Sequence, residues 1–405
     1  MADSIFDLEE FKPYQAAWMA RQGELQARAA YYDGSIYSGA AKSLGWLFPR
    51  IGKAIKPLYL PLARAVDVDA GIIPGGWAFT EDAPEAWALA RNQVWAWSGW
   101  NTSGVLYVHY GAVYGVSGLK VADLRDQKRV VVVPVNPTCF MLLASNSYDP
   151  TPTLGLWIET RTDMDSSTYE YAEVITPTTV RTFKAGKLFG YDARQPEYQN
   201  PLEFVPFVEV QHIAIGDELG DCTYQKAIPL LDEVNSLASQ LAEIIRKNSD
   251  PQWAVSGAVG DELEHSSDNV WFLPAGADVN ILVPGIDVAG ILEFVREIRD
   301  QVFGALPELA FDELRKKDEI ATATLELQLM ELVLKVRRCR PNYDDGLIRA
   351  LRMAGRAARS MELPDVVALD DESLTFDNER HVLPLDPKTE LELELLRLQI
   401  EGQTV

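Results

Sequence analysis

Between Ile228 and Ile245 apolar residues recur every three or four positions: Ile228, Leu231, Val234, Leu237, Leu241 and Ile245. That stripe predicts an amphipathic helix over 223–248, and the Asn248-Ser249-Asp250-Pro251 run stops it, because proline disfavours helix just before itself. Trp253–Val259 and Val270–Leu273 read as short strands around an acidic turn at Asp261, Glu262 and Glu264. Asp287 is a good N-cap for a second helix carrying Ile291, Leu292, Val295, Ile298 and Val302. Gly304 and Pro307 break it, and Phe311–Glu319 is densely charged. A long helix follows through Leu325, Leu329, Leu332, Val333 and Val336, with Pro341 expected to kink it. Helix resumes over Gly346–Met361, Glu372–Phe376 reads as a strand, and a last helix runs from Asp386-Pro387 to Ile400.

The first half has a different grain. Helices are expected over about 13–30, 57–65 and 85–97, the first with Tyr14, Trp18 and Leu25 roughly on one face. Ser103–Val116 and Lys128–Val135 read as β-rich, followed by strands at Ile158–Thr162, Thr168–Thr176, Thr178–Phe183 and Phe204–Ile215. Helices do not alternate with these strands, so an antiparallel α+β arrangement is expected and a doubly wound sheet is not.

With 405 residues the chain is expected to form more than one substructure. Three widely spaced cysteines, Cys139, Cys222 and Cys339, without a CxxC pair, fit reduced thiols and no zinc site. The acidic start lacks an apolar signal segment, and the run Val130–Val133 ends at Pro134, so no secretory signal and no membrane span are expected. The net charge of −23 changes the picture most. A protein that grips DNA by neutralising phosphates should be basic. An acidic wall lets DNA pass without sticking, although acidity by itself means only solubility.

Catalytic motifs are scarce. There is no phosphate-cradling GxxxxGK[ST], and Gly111–Gly118 reads as glycines at bends of a sheet. The same stretch is no nucleophile elbow, since Leu119 stands where the last glycine must be. His109, His212, His265 and His381 are scattered, each an ordinary core or surface histidine, and no metal or other cofactor is expected. Acidic pairs (Asp67/Asp69, Asp163/Asp165, Asp344/Asp345, Asp370/Asp371) together with abundant Trp and Tyr would suit a glycoside hydrolase or sugar-binding protein. In so acidic a chain such pairs read better as solvated surface. One basic stripe stands out: Arg349, Arg352, Arg356 and Arg359 share a helix face. A DNA-phosphate contact or a solvated face would also allow this, but it reads best as an intersubunit ion-pair seam, since a basic stripe in so acidic a chain should find acidic neighbours.

The order helix, small β insert, helix, charged loop, long helix resembles the stem, clip, stem, tunnel loop and long helix of tailed-bacteriophage portal proteins, the head-to-tail connector family. Trp18…Arg21…Tyr31-Tyr32-Asp33-Gly34 resembles the family's opening segment, and Tyr107–Val121 followed by Val130–Phe140 is similar to its wing strands. Pro229–Ser236 resembles the start of the first stem helix, and Ala275–Val279 with Ile286-Asp287 resembles the clip's exit.

The resemblance implies an α+β, portal-like fold with a mixed α/β wing, a helical stem, a small β-containing clip and a C-terminal helical crown. It assigns the wing to 1–221, the first stem helix to 222–249, the clip to 250–286 and the second stem helix to 287–304. The tunnel loop is 305–321, the long kinked helix and return to the wing 322–385, and the crown helix 386–405. It also implies a non-enzymatic ring of about twelve copies at the capsid vertex of the virion, assembled in the host cytoplasm. Double-stranded DNA would pass through it without sequence specificity during packaging and ejection. The large terminase subunit would dock first, the head–tail adaptor later, beside major capsid or scaffolding protein and away from any membrane. Phe311, Asp312, Glu313, Arg315, Lys316 and Lys317 would face the channel, and Trp253, Asp261, Glu262 and Trp271 would lie in the docking clip. The chain stops at Val405, soon after its last helix, whereas the family's crowns often continue, which fits either a minimal crown or a shortened chain. Another virion component, such as a head-completion protein, would lack the stem–clip–stem order.

Overall fold

The computed structural model describes residues 4–37, 59–144, 151–163, 166–190, 195–216, 219–249, 252–256, 278–282, 288–310, 329–377, 380 and 382. The chain divides into two compact units. One comprises residues 1–36, 61–226 and 306–405, the other 37–60 and 227–305.

The larger unit begins with helix α1 (Gln15–Tyr32), α2 (Leu62–Ile72), α3 (Glu85–Ser98) and α4 (Trp100–Tyr114). Strands β1 (Val116–Leu124), β2 (Arg129–Val135) and β3 (Phe140–Ala144) follow. The next strands are β4 (Pro152–Thr162), β5 (Thr168–Ile175), β6 (Thr179–Lys184), β7 (Lys187–Leu188), β8 (Glu197–Gln199) and β9 (Phe207–Gln211). They form two antiparallel sheets. One has the order β2-β1-β9, the other β3-β4-β5-β6-β7 with β8 also paired to β6. This is the α+β class with antiparallel sheets expected from the strand pattern.

The sequence reading of Ser103–Val116 as β-rich is corrected: α4 is helical to Tyr114, and only Val116 opens a strand. Gly111 therefore lies in a helix and not at a sheet bend. The buried positions Trp100, Gly104, Tyr107, Val108, Gly111 and Ala112 follow the helical period. The aromatic and β-branched content signalled strand locally, and packing overrode it. Gly115 ends the helix at φ +80, where a Cβ would also stand 2.8 Å from the Gly220 carbonyl oxygen.

The long helix differs from expectation too. It runs unbroken from Met330 to Ser360 (numbered α7 below, after α5 and α6 of the other unit) with Pro341 inside it. The missing donor is tolerated because the helix is tied into the unit on both sides of Pro341: Leu332, Val336, Cys339, Tyr343, Leu347, Ala350, Leu351 and Ala354 are buried. A short helix α8 (Pro364–Val367) follows. The strand expected at Glu372–Phe376 amounts to a single bridge between Phe79 and Phe376.

α2, α3, α4, β1, β2, β9 and α7 share the main core, which includes Val94, Tyr107, Leu119, Val132, Val208, Tyr343 and Leu351. A second cluster seats Ile5, Phe6, Phe11 and Trp18 on Met141, Leu156, Ile158, Val174 and Phe183 of the larger sheet.

The smaller unit contains α5 (Ile228–Ser249), β10 (Gln252–Ser256), β11 (Asp278–Leu282) and α6 (Val288–Ala305). The first strand agrees with the sequence pattern. Its partner lies at 278–282, whereas the expected strand Val270–Leu273 and the C-terminal helix at 386–405 fall outside the described residues.

Candidate functional site

In the smaller unit the chain leaves α5, runs out along β10, returns along β11 from Asp278 to Leu282, and enters α6. The two helices pack against each other, burying Leu231, Val234 and Leu241 of α5 and Ile298 and Val302 of α6. These residues come from the two apolar stripes, which is why two stripes produce one paired unit. Asn235, fully buried, holds Tyr59 by two hydrogen bonds: it accepts from the Tyr59 backbone nitrogen at 3.1 Å and donates to the Tyr59 carbonyl at 3.2 Å. The Tyr37 hydroxyl donates to Asp232 at 2.8 Å.

The larger unit holds a buried charge cluster. Asp69 of α2 is completely inaccessible, as are His212, just beyond β9, and Glu308, beyond α6 in sequence. Lys335 of α7 donates to all three of its partners: Asp69 Oδ2 at 3.2 Å, the Thr223 carbonyl at 3.3 Å and Glu308 Oε1. Thr223 Oγ1 donates to Asp69 Oδ2 at 2.6 Å and lies 3.0 Å from His212 Nε2. His212 Nδ1 lies 2.8 Å from the Tyr343 hydroxyl. Since the Thr223 proton goes to Asp69, Nε2 carries the imidazole proton and Nδ1 accepts from Tyr343. Asp69 Oδ1 and Glu308 Oε2 are buried with no hydrogen-bond partner.

The electrostatics follow from one cation facing two carboxylates. Burial pushes the Asp69 carboxyl up, but Lys335, His212 and Thr223 outweigh it and hold the group well below the ordinary carboxylate range. Burial also opposes the Lys335 charge, and Asp69 and Glu308 overcome it, so the ammonium is held above its usual value. For Glu308 burial and the Asp69 charge win over Lys335 and push the carboxyl up to about 7. Burial lowers His212 and keeps the imidazole neutral.

None of this cluster was expected. The reading of Asp67/Asp69 and Asp344/Asp345 as solvated surface is corrected at Asp69 and Asp344, both buried. Asp344 accepts from Trp77 Nε1 at 2.8 Å and pairs with Arg380. The signal was present in the stripes. Asp69 falls among buried Leu62, Ala65, Val66, Ala70 and Ile73, and Lys335 falls between Leu332, Val336 and Cys339. A charge on an apolar helix face announces a buried partner.

The four arginines of the basic stripe have partners within the chain. Arg349 pairs with Asp345 at 2.9 Å and donates to the Glu209 carbonyl at 3.3 Å. Arg352 donates to the carbonyls of Glu372 and Leu374. Arg356 and Arg359 both engage Asp370, at 3.2 and 2.7 Å. Arg352, Arg356 and Arg359 thus strap the segment after α8 onto α7, while Arg349 ties α7 to β9. Trp253 lies in β10. Asp261, Glu262 and Trp271, and the loop residues Phe311, Asp312, Glu313, Arg315, Lys316 and Lys317, lie outside the described residues. Among the described residues no helix is long and apolar enough to cross a membrane.

A search of the curated proteins found no match. Among solved structures the chain is similar to one titled "Virion of native gene transfer agent (GTA) particle", at 14% identity and TM-score 0.41, covering 85% of this chain and 86% of that one. It is also similar to "Neck of native GTA particle computed with C12 symmetry", at 13% identity and TM-score 0.43, covering 90% and 89%. The family model described as "Phage portal protein, SPP1 Gp6-like" matches residues 107–353, more than half of the chain. That span takes in both sheets, the α5–β10–β11–α6 sequence of elements and most of α7, and by it the chain belongs to the SPP1 Gp6-like family of phage portal proteins, a structural and not an enzymatic family.

Proposed function

We propose that this portal protein assembles into a closed ring of about twelve copies at the capsid vertex, and that double-stranded DNA passes through its centre. The observation that carries the reading is the helix–β ribbon–helix sequence of α5, β10, β11 and α6 inside the family-matched residues. In this reading α5 and α6 form the stem, residues 250–286 the clip that docks the large terminase subunit and later the head–tail adaptor, and 305–321 the tunnel loop. The remaining elements up to about residue 385 form the wing, and 386–405 begin the crown. Charge supports a conduit over a clamp. With a net charge of −23 the assembled wall would have no fixed high-affinity DNA site. The few loop cations, Arg315, Lys316 and Lys317, would make weak, salt-screened phosphate contacts that break and re-form.

Native mass spectrometry with negative-stain imaging tests the ring. The expected result is a single closed assembly of about twelve copies with a central hole; assemblies that stay open or stop at a dimer when capsid and scaffolding proteins are present would defeat it. The loop is tested separately. Lys316→Glu with Lys317→Glu should cut DNA packaged per particle severely while rings form normally. Loss of ring assembly in that variant would reassign the two lysines to a subunit interface.

A further inference from the structure

The chain passes between its two units after residues 36, 60, 226 and 305. Three members of the buried cluster sit close to such passages in sequence: Asp69 soon after Pro61, Thr223 shortly before Lys226, and Glu308 just after Leu306. Lys335 binds all three. Glu308 and Lys335 also stand on either side of residues 311–328, so their ion pair ties together the two ends of that stretch. A chain that needed only stability could have placed apolar residues here, since a buried ion pair rarely exceeds a hydrophobic replacement.

The cluster has one carboxylate too many. Lys335 carries a single positive charge, its three donors are all in use, and two buried carboxylate oxygens, Asp69 Oδ1 and Glu308 Oε2, remain without partners. The groups facing Glu308 are Asp69 of α2 and Lys335 of α7, with Cys339 nearby on α7 and His212 and Thr223 on the far side of Asp69. His212 is neutral and supplies no balancing positive charge, and Cys339, pushed up to about 12, stays an uncharged thiol that adds no further negative charge near neutral pH.

We propose that Glu308 is a proton-operated catch. With a proton it leaves a neutral Asp69–Lys335 pair and the cluster stays closed; without one the cluster holds an uncompensated negative charge, and the backbone it pins, residues 306–310 and the first turns of α7, opens more readily. The carboxyl's rise to about 7 places the change at physiological pH. The sign is fixed by linkage. A carboxyl raised in the fold stabilises it fully below its ordinary 4.5, and that contribution is lost as pH rises through about 7. His212, lowered by burial, works the opposite way, adding stability as pH rises past its ordinary 6.5.

The test is hydrogen–deuterium exchange on the full chain at about pH 6 and about pH 8, corrected for the intrinsic rate, and read on peptides covering 306–310 and 330–340. In the wild type, protection should fall across that interval by several-fold and at most about tenfold, because the opposing His212 contribution offsets part of the loss. In Glu308→Gln, which cannot ionise, the fall should be gone, leaving only the modest rise that His212 contributes. A fall that persists in Glu308→Gln would assign the titration to a group other than Glu308 and overturn the proposal, since His212 can only contribute a rise over this interval. Infrared difference spectra of the wild type give a check that needs no variant. A buried protonated-carboxyl band should disappear between the two pH values, and its absence at the lower one would equally overturn the proposal.

Discussion

Lys335→Met will destabilise the larger unit by about 3–5 kcal/mol, the range for removing one partner of a buried ion pair. Methionine fills the volume of the stem but leaves Asp69 and Glu308 facing each other, both fully buried, with no cation between them. It also deprives the Thr223 carbonyl of its ammonium donor. The pH profile distinguishes this loss from a packing defect. Lys335 is raised and Asp69 is lowered in the fold, so their joint contribution is fullest between the ordinary carboxylate value of 3.8 and the ordinary lysine value of 10.5. The cost of Lys335→Met should therefore shrink in acid, where both carboxyls can take protons. Urea unfolding measures it: the midpoint should fall sharply with little change in slope. Adding Glu308→Gln and Asp69→Asn to the Met variant should recover much of the loss, because the charges are then gone. A single-variant cost below about 1 kcal/mol, the scale of an exposed pair, would show that the cluster contributes no more than a surface ion pair.

That cluster also marks where sequence reading reached its limit. The helices α3, α5 and α6 were legible because each buries one regular apolar stripe, such as Leu231, Val234 and Leu241 of α5, and α1 was legible from Trp18 and Leu25 although Arg21 and Arg28 share its buried face. The family was legible because the order of elements survives where individual motifs are loose. Asp69 was not legible: an aspartate in an acidic chain looks solvated, and only its place among Ala65, Val66, Ala70 and Ile73 shows otherwise. Glu308 was hidden for a different reason. It follows Pro307, among helix breakers, where no periodicity exists to assign a side chain inward. His212 was an ordinary histidine until Thr223 and Tyr343 were placed on its two ring nitrogens. The basic stripe shows a third kind of limit. Helix spacing put the four arginines on one face, but spacing carries no information about what faces them, and within the chain that is Asp345, Asp370 and the carbonyls of 209, 372 and 374.

Helix α4 is the clearest case of packing overriding local preference, and it supports the other large effect. Gly111→Ala should destabilise the protein by about 3 kcal/mol, combining overpacking of a filled core with a lost buried hydrogen bond. On helix propensity alone the substitution should gain about 1 kcal/mol. But a Cβ at residue 111 would collide with the Tyr343 hydroxyl and stand 2.9 Å from its Cζ. Tyr343 has nowhere to retreat. It is fully buried, its hydroxyl is held 2.8 Å from His212 Nδ1, and the Tyr107 ring meets it edge-on at 5.1 Å. Moving the phenol breaks the link to His212 and so reaches the charge cluster through Thr223. Gly23→Ala is the matched control, because Gly23 lies in α1 with nothing within 4 Å of the added methyl and should show only the propensity gain. Chemical denaturation of both variants decides the matter. A neutral or stabilising Gly111→Ala would mean that α4 and α7 can separate at no cost, and that the close approach of glycine and tyrosine is not what makes this β-like stretch helical. Tyr343→Phe added to Gly111→Ala removes the colliding oxygen and should recover part of the loss; full recovery is not expected, since the ring carbon stays in contact and His212 Nδ1 loses its donor.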